Sequence, residues 1–174
     1  MIPKIIHQVW LGHLPVPSET NSWDVTHPTW KHHIWKNTKA RYATKAFDAT
    51  KGHYNMQSDI LRLEYLYQYG GVYADCDLIS FKSLESILPD SDVWQFFIAY
   101  EDEINHPGLL ANTWIACNAG HPILSYLIQR INARKYSEKL GPASGITGPK
   151  WLTKELEPWK DCLTILPSKL FYPE

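Results

Sequence analysis

The sequence predicts an α/β layered domain with a largely parallel central sheet. Two observations carry this: short β-branched or aromatic runs alternate with helical segments, and Gly and Pro punctuate the junctions. In such sheets the ligand crevice lies beyond the carboxyl ends of the strands. At 174 residues the chain is long enough for one domain with a real core and short for two. Residues 1–174 are therefore read as a single domain.

Taken in order, Lys4 to Trp10 (KIIHQVW) reads as a short buried strand, ended by Gly12 and Pro15. Residues 18 to 26 form a helix after a Pro-rich loop, with Ser18 as N-cap and His27-Pro28 as the stop. A second strand falls at His32 to Trp35. Ser58 to Tyr69 gives the clearest helix: Ser58 caps it, Asp59 favours the first turn, and Gly70-Gly71 ends it. Ile60, Leu63, Leu66 and Tyr67 supply its apolar stripe. Strand Val72 to Leu78 follows at once. Val93 to Ala99 and Thr113 to Cys117 read as strands, Pro122 to Ala133 and Pro149 to Leu156 as helices, and Leu163 to Leu166 as a last strand.

Composition narrows the function classes. Apolar residues make up 44% and charged residues 20%, ordinary for a folded soluble protein. A formal net charge of -1 argues against a nucleic-acid binder, although a local basic pocket for a phosphate stays open. Eight Trp and ten Tyr offer flat surfaces for stacking on bases or sugar rings, or simply fill the core. Three Cys without close CxxC spacing suit a reduced compartment. Residues 1–12 lack a signal peptide's apolar run, and no stretch approaches about 18 consecutive apolar residues. The expectation is a soluble, cytoplasmic chain without a transmembrane segment.

Asp75 and Asp77 stand two apart at the end of an apolar strand, so an extended backbone would aim both carboxylates at one face. Such a pair repels itself unless a cation or donors compensate, and a hard divalent ion such as Mg²⁺ or Mn²⁺ suits oxygen ligands. The bland alternative is a pair of solvated carboxylates at a loop edge. Asp59 and Arg62, three apart on a helix, share a face. They are either a local ion pair or a carboxylate for sugar hydroxyls beside a guanidinium for phosphate. No His shows metal spacing, and none is assigned to catalysis.

The segments IPKIIHQVWLG (2–12), SW…HPTW…IW (22–35) and SDILRLEYLYQYGGVYADCDL (58–78) together resemble glycosyltransferase family 32. That Asp-x-Asp group includes initiating mannosyltransferases and capsular polysaccharide transferases, and its centre is similar to the large glucosylating toxins. The likeness resumes more loosely at NTWIACNAGHPIL (112–124), TGPKWLT (147–153) and ILPSKLFYP (165–173). The resemblance implies a GT-A type, Rossmann-like fold and a UDP- or GDP-sugar donor. It further implies a glycan or other hydroxyl acceptor, Mn²⁺ or Mg²⁺, and retention of anomeric configuration.

Carried over by residue, it implies that Asp77 binds the metal and that Asp75 serves the metal shell and the donor. Asp59 and Arg62 would hold the transferred sugar and the diphosphate, with Ser58 beside them in the donor set. Trp10 would stack on the base, or else be a core aromatic; Tyr73 lies near the donor or only packs. Asn112 faces the reacting carbon, or is a turn residue. Thr147-Gly148-Pro149 would open a helix and offer backbone N–H groups to phosphate or acceptor. Loops 100 to 111 and 134 to 148 would set specificity.

Relatives continue past ILPSKLFYP into a His- and Trp-containing tail, so this chain is expected to lack that tail. A fragment of an anchored protein would work in the Golgi lumen instead of the cytoplasm. Two rivals stand beside the transferase: a two-carboxylate glycoside hydrolase and a non-catalytic nucleotide-sugar or glycan binder. Chelation separates the first rival, because EDTA spares a hydrolase of that kind.

Overall fold

A computed structural model describes residues 1–171. Tyr172 and Pro173, the end of the ILPSKLFYP segment, lie outside the described residues. The elements are β1 (Ile5–Trp10), α1 (Asn21–Thr26), β2 (Lys31–Lys36), α2 (Thr44–Ala49), α3 (Tyr54–Tyr69), β3 (Gly71–Ala74), β4 (Phe96–Asp102), β5 (His106–Cys117), α4 (Pro122–Ala133), α5 (Ala143–Ile146), α6 (Pro149–Leu156) and β6 (Thr164–Leu166). The strands form one six-stranded sheet in the order β2-β1-β3-β5-β4-β6. β1 pairs in parallel with β2 and β3, and β4 with β6, while β5 alone runs against its neighbours β3 and β4. The mostly parallel α/β sheet expected from the sequence is therefore the fold observed.

Strand alternation divides two cores. Tyr73, Phe96, Ile98, Ile115 and Cys117 pack on one face with residues of α3, α4 and α6. Val72, Ala74, Phe97, Trp114 and Ala116 pack on the other with Ile2, Trp23 and Leu84. The double glycine is what lets β3 begin so close to β1. Gly71 has φ 94°, and a Cβ there would sit 2.4 Å from the Ile5 carbonyl oxygen.

Several boundaries differ from the sequence reading, each for a local reason. Ser18 caps nothing; it opens a 3-10 turn, Ser18–Thr20, that runs into α1. α3 starts at Tyr54 rather than Ser58, because Met56 is buried and Gln57 donates its amide to the Phe47 carbonyl (3.1 Å). Ser58 is consequently no cap, and its hydroxyl bonds back to the Asn55 carbonyl at 2.8 Å. α2 was not anticipated. The buried Glu64 carboxylate holds the backbone N–H groups of Arg41, Tyr42 and Ala43 just before it (2.6, 2.8 and 2.5 Å). β4 lies a few residues later than expected and β5 reaches back to His106, so residues 100 to 111 are mostly an antiparallel hairpin, not a loop.

Candidate active site

β3 stops at Ala74, four residues short of the expected end. The Asp75 N–H still reaches Thr113 (2.9 Å), but the Leu78 N–H then turns back onto the Asp75 carbonyl (3.1 Å). Asp75 and Asp77 thus occupy a turn and do not share one strand face, which corrects the extended geometry expected above. Asp75 is half-buried and turned toward Arg62; Asp77 is exposed. Because Ala74 pairs with Trp114 in the antiparallel ladder, Asn112 arrives beside the same turn. It is an interior residue of β5, buried, and not a turn residue.

Four elements converge on one polar cluster. On α3, Arg62 Nη2 lies 2.8 Å from Asp59 Oδ1 and 3.2 Å from Asp75 Oδ1. Its guanidinium carbon stands 4.4 Å from the Tyr73 ring centroid, and Nη1 donates to the Asn112 carbonyl. The Tyr73 hydroxyl donates to Asp75 Oδ1 (2.8 Å). Asp59 is gripped further: Asn112 Nδ2 donates to Oδ1 (2.8 Å) and the Thr147 hydroxyl to Oδ2 (2.7 Å). Burial raises the pKa of both Asp59 and Asp75, more than Arg62 and the hydrogen bonds lower it. Burial also pushes the Tyr73 phenol well above its ordinary value, so it stays a neutral donor.

Eight of the residues singled out from the sequence line a single cleft of about 510 Å³: Trp10, Ser58, Asp59, Arg62, Tyr73, Asp75, Asp77 and Asn112. That volume suits a small-molecule ligand. Trp10 ends β1, half-buried, with its indole N–H fixed on the Leu14 carbonyl (2.8 Å). The Thr147-Gly148 segment differs from expectation, since both N–H groups bond the Ala143 carbonyl (3.0 Å each) and only the Thr147 hydroxyl reaches the cluster. The other loop named for specificity, 134 to 148, holds α5.

A supporting chain was not anticipated. The buried Gln8 amide donates to the Asp75 carbonyl (3.1 Å), and its oxygen meets His32 Nε2 (2.8 Å). His32 Nδ1 in turn meets Asp24 (3.0 Å). A polar pair inside KIIHQVW was the available signal, because buried polar side chains take partners. His7, its neighbour, is held near pKa 4 by burial and stays neutral, accepting from Trp35 and bonding the Gly70 carbonyl at 2.9 Å.

Among the described residues no cluster of three or more His, Cys, Asp or Glu could hold a metal. Of the cleft's three carboxylates, Asp59 is held by Arg62, Asn112 and Thr147, which leaves Asp75 and Asp77 as the candidate hard donors. That set fits Mg²⁺ or Mn²⁺, which are usually held by one or two carboxylates with substrate phosphates completing the shell. No helix among the described residues is long and apolar enough to cross a membrane. The three cysteines are free thiols.

The chain is similar to several known proteins. Residues 16–94 match the family described as glycosyltransferase sugar-binding region containing DXD motif. An uncharacterized glycosyltransferase of Acanthamoeba polyphaga mimivirus is 28% identical over 149 residues, covering 78% of this chain and 57% of that protein. Inositol phosphoceramide mannosyltransferase 1 of Schizosaccharomyces pombe is 26% identical over 191 residues, covering 98% and 57%. The chain thus spans somewhat more than half the length of these curated relatives. Among solved structures, the PaToxG glycosyltransferase superposes with a TM-score of 0.66 at 19% identity, covering 91% of this chain and 69% of that one. The UDP-bound glycosyltransferase domain of the YGT toxin gives 0.61 at 12% identity, covering 95% and 79%. The fold is that of the GT-A glycosyltransferase domains.

Proposed function

We propose that this chain carries a DXD-type glycosyltransferase domain and that residues 1–174 transfer a hexose or N-acetylhexosamine from a UDP- or GDP-sugar to a hydroxyl acceptor. The anomeric configuration is retained and the reaction needs Mn²⁺ or Mg²⁺. The observation that carries this reading is the convergence of Asp59, Arg62, Asp75 and Asn112 on one cleft with Asp77 at its exposed lip. The relatives support the donor class, with a mannosyltransferase among them and a toxin domain bound to UDP.

Trp10 stacks on the nucleobase at the end of β1. Such contacts contribute about 1–3 kcal/mol per base in nucleic-acid complexes. Asp75 and Asp77 would hold the cation, which when bound would supply positive charge to offset that of the diphosphate. Arg62 adds a fixed positive charge in a water-poor site, where it acts without reorganising. Three donors already hold Asp59 in place, and an ionised carboxylate has about four acceptor positions. The remaining one suits a hydroxyl of the transferred sugar, with Ser58 lining the same wall. Asn112 fixes Asp59 and presents its amide beside the reacting carbon, and the acceptor hydroxyl attacks from the face the leaving group vacates. A two-carboxylate hydrolase fits less well, because one guanidinium binds both the buried Asp59 and the half-buried Asp75 carboxylates. Free thiols agree with action in the cytoplasm.

Release of UDP or GDP from a panel of nucleotide-sugars, with Mn²⁺ and with EDTA, tests the reading. Turnover that EDTA abolishes and that Asp75→Asn removes is expected. Turnover that persists in EDTA, or wild-type rates in Asp75→Asn, would reject it.

A further inference from the structure

A second cavity, of about 450 Å³, opens between α4 and the α5–α6 segment and shares no lining residue with the donor cleft. Its charged lining is Arg130, Arg134, Lys150, Lys154 and Glu155, over a wall that includes Trp151. Glu155 is committed elsewhere. Its buried carboxylate takes Arg130 Nε (2.9 Å) and Nη2 (3.3 Å) together with the Tyr126 hydroxyl (2.9 Å). Arg134 is anchored on neutral groups, its Nη1 donating to the carbonyls of Gly145 (3.2 Å) and Ile146 (2.9 Å). Lys150 and Lys154 stand one turn apart on α6 and have no carboxylate within ion-pair distance among the described residues.

Arg134, Lys150 and Lys154 therefore form no ion pair among the described residues, and the one carboxylate lining the same concavity, Glu155, which acts on Lys154, is already paired with Arg130. Like charges one helical turn apart destabilise a helix. An anion would reverse that sign. A guanidinium held by its own backbone contacts is a pre-set fork for phosphate oxygens, and two ammonium groups supply mobile point charges beside it. The cavity lies one turn from Thr147, the residue that holds Asp59 Oδ2.

We propose that this cavity is an anion site, separate from the donor cleft, for a phosphate-bearing molecule of two or more negative charges held by Arg134, Lys150 and Lys154. Pyrophosphate is the probe. It is titrated in low salt with EDTA present, so that any metal-dependent binding in the donor cleft is silenced. The indole N–H signals of Trp151 and Trp10 report the two cavities separately by NMR. The expected result is a saturable shift of the Trp151 signal with a dissociation constant of about 1 mM or tighter. Added salt should weaken it, as screening requires. Lys150→Glu with Lys154→Glu, both at exposed positions, should weaken binding about tenfold or more by replacing attraction with repulsion. A shift confined to Trp10, no shift at either indole, or binding unchanged in the double variant would overturn the proposal. Because neither metal nor donor is involved, these outcomes are independent of the transferase reading.

Discussion

Arg62→Met tests the cluster where the structure makes it most specific. Methionine keeps the aliphatic reach of arginine but removes a guanidinium whose side chain is 4% exposed and lies 2.8 Å from Asp59 and 3.2 Å from Asp75. Removing one partner from a buried ionic network costs about 3–5 kcal/mol, because the remaining charges stay buried and uncompensated. With an m-value of about 2 kcal/mol/M, the urea midpoint falls by about 1.5–2.5 M. The loss also has a pH signature. Burial already holds both carboxyls above their ordinary values, and Arg62 is the largest influence opposing that rise. Without it both rise further. A carboxyl whose folded value exceeds its unfolded one binds its proton better in the folded state. Its contribution to stability is greatest in acid and declines as pH rises through the folded value.

The deficit of the variant should therefore shrink as pH is lowered from neutral into acid. Urea titrations followed by tryptophan fluorescence, with EDTA present, read it directly. An unchanged midpoint, or a deficit constant with pH, would refute the network described.

Gly71→Ala should destabilise by about 1–3 kcal/mol through backbone strain alone, with more from the 2.4 Å approach to Ile5, and its thermal midpoint should fall accordingly. Thr147→Val removes one donor from the buried Asp59 carboxylate, at a cost of about 1–3 kcal/mol. Thr147→Ser should restore both the urea midpoint and donor turnover, whereas a serine variant as impaired as valine would assign Thr147 to packing. Gln8→Leu keeps the side-chain bulk but strands His32 Nε2 and takes one of two donors from the Asp75 carbonyl, which keeps the Leu78 N–H. Stability should drop by about 1–3 kcal/mol, and Mn²⁺-dependent nucleotide affinity should weaken with it; unchanged affinity would mean that Gln8 does not position Asp75.

The site was legible from the sequence to the extent that its residues lie in locally strong signals. Asp59 and Arg62 sit on a helix with a clear stripe and a glycine stop, and Asp75 follows an apolar strand, so their elements were legible from spacing, while their meeting in one site was implied by the family resemblance. The conformation of the Asp-x-Asp pair was not legible, because the turn after Ala74 is set by backbone bonds to Thr113 and from Leu78. The roles of Gln8 and Thr147 were hidden similarly. Both act across many residues of chain, and neither carries a local pattern that names its partner. α2 escaped notice because its start is fixed by Glu64, a residue of another helix. The start of α3 escaped for a similar reason, its first turns being held by packing and not by a cap.

Calorimetric titration of UDP and of GDP into wild type and Asp77→Asn, each with Mn²⁺ and with EDTA, bears most directly on the donor cleft. Wild type should bind one of the nucleotides only with the cation present, and Asp77→Asn should lose that binding while its melting temperature without ligand stays unchanged. Equal nucleotide affinity in EDTA, or in the variant, would contradict the account.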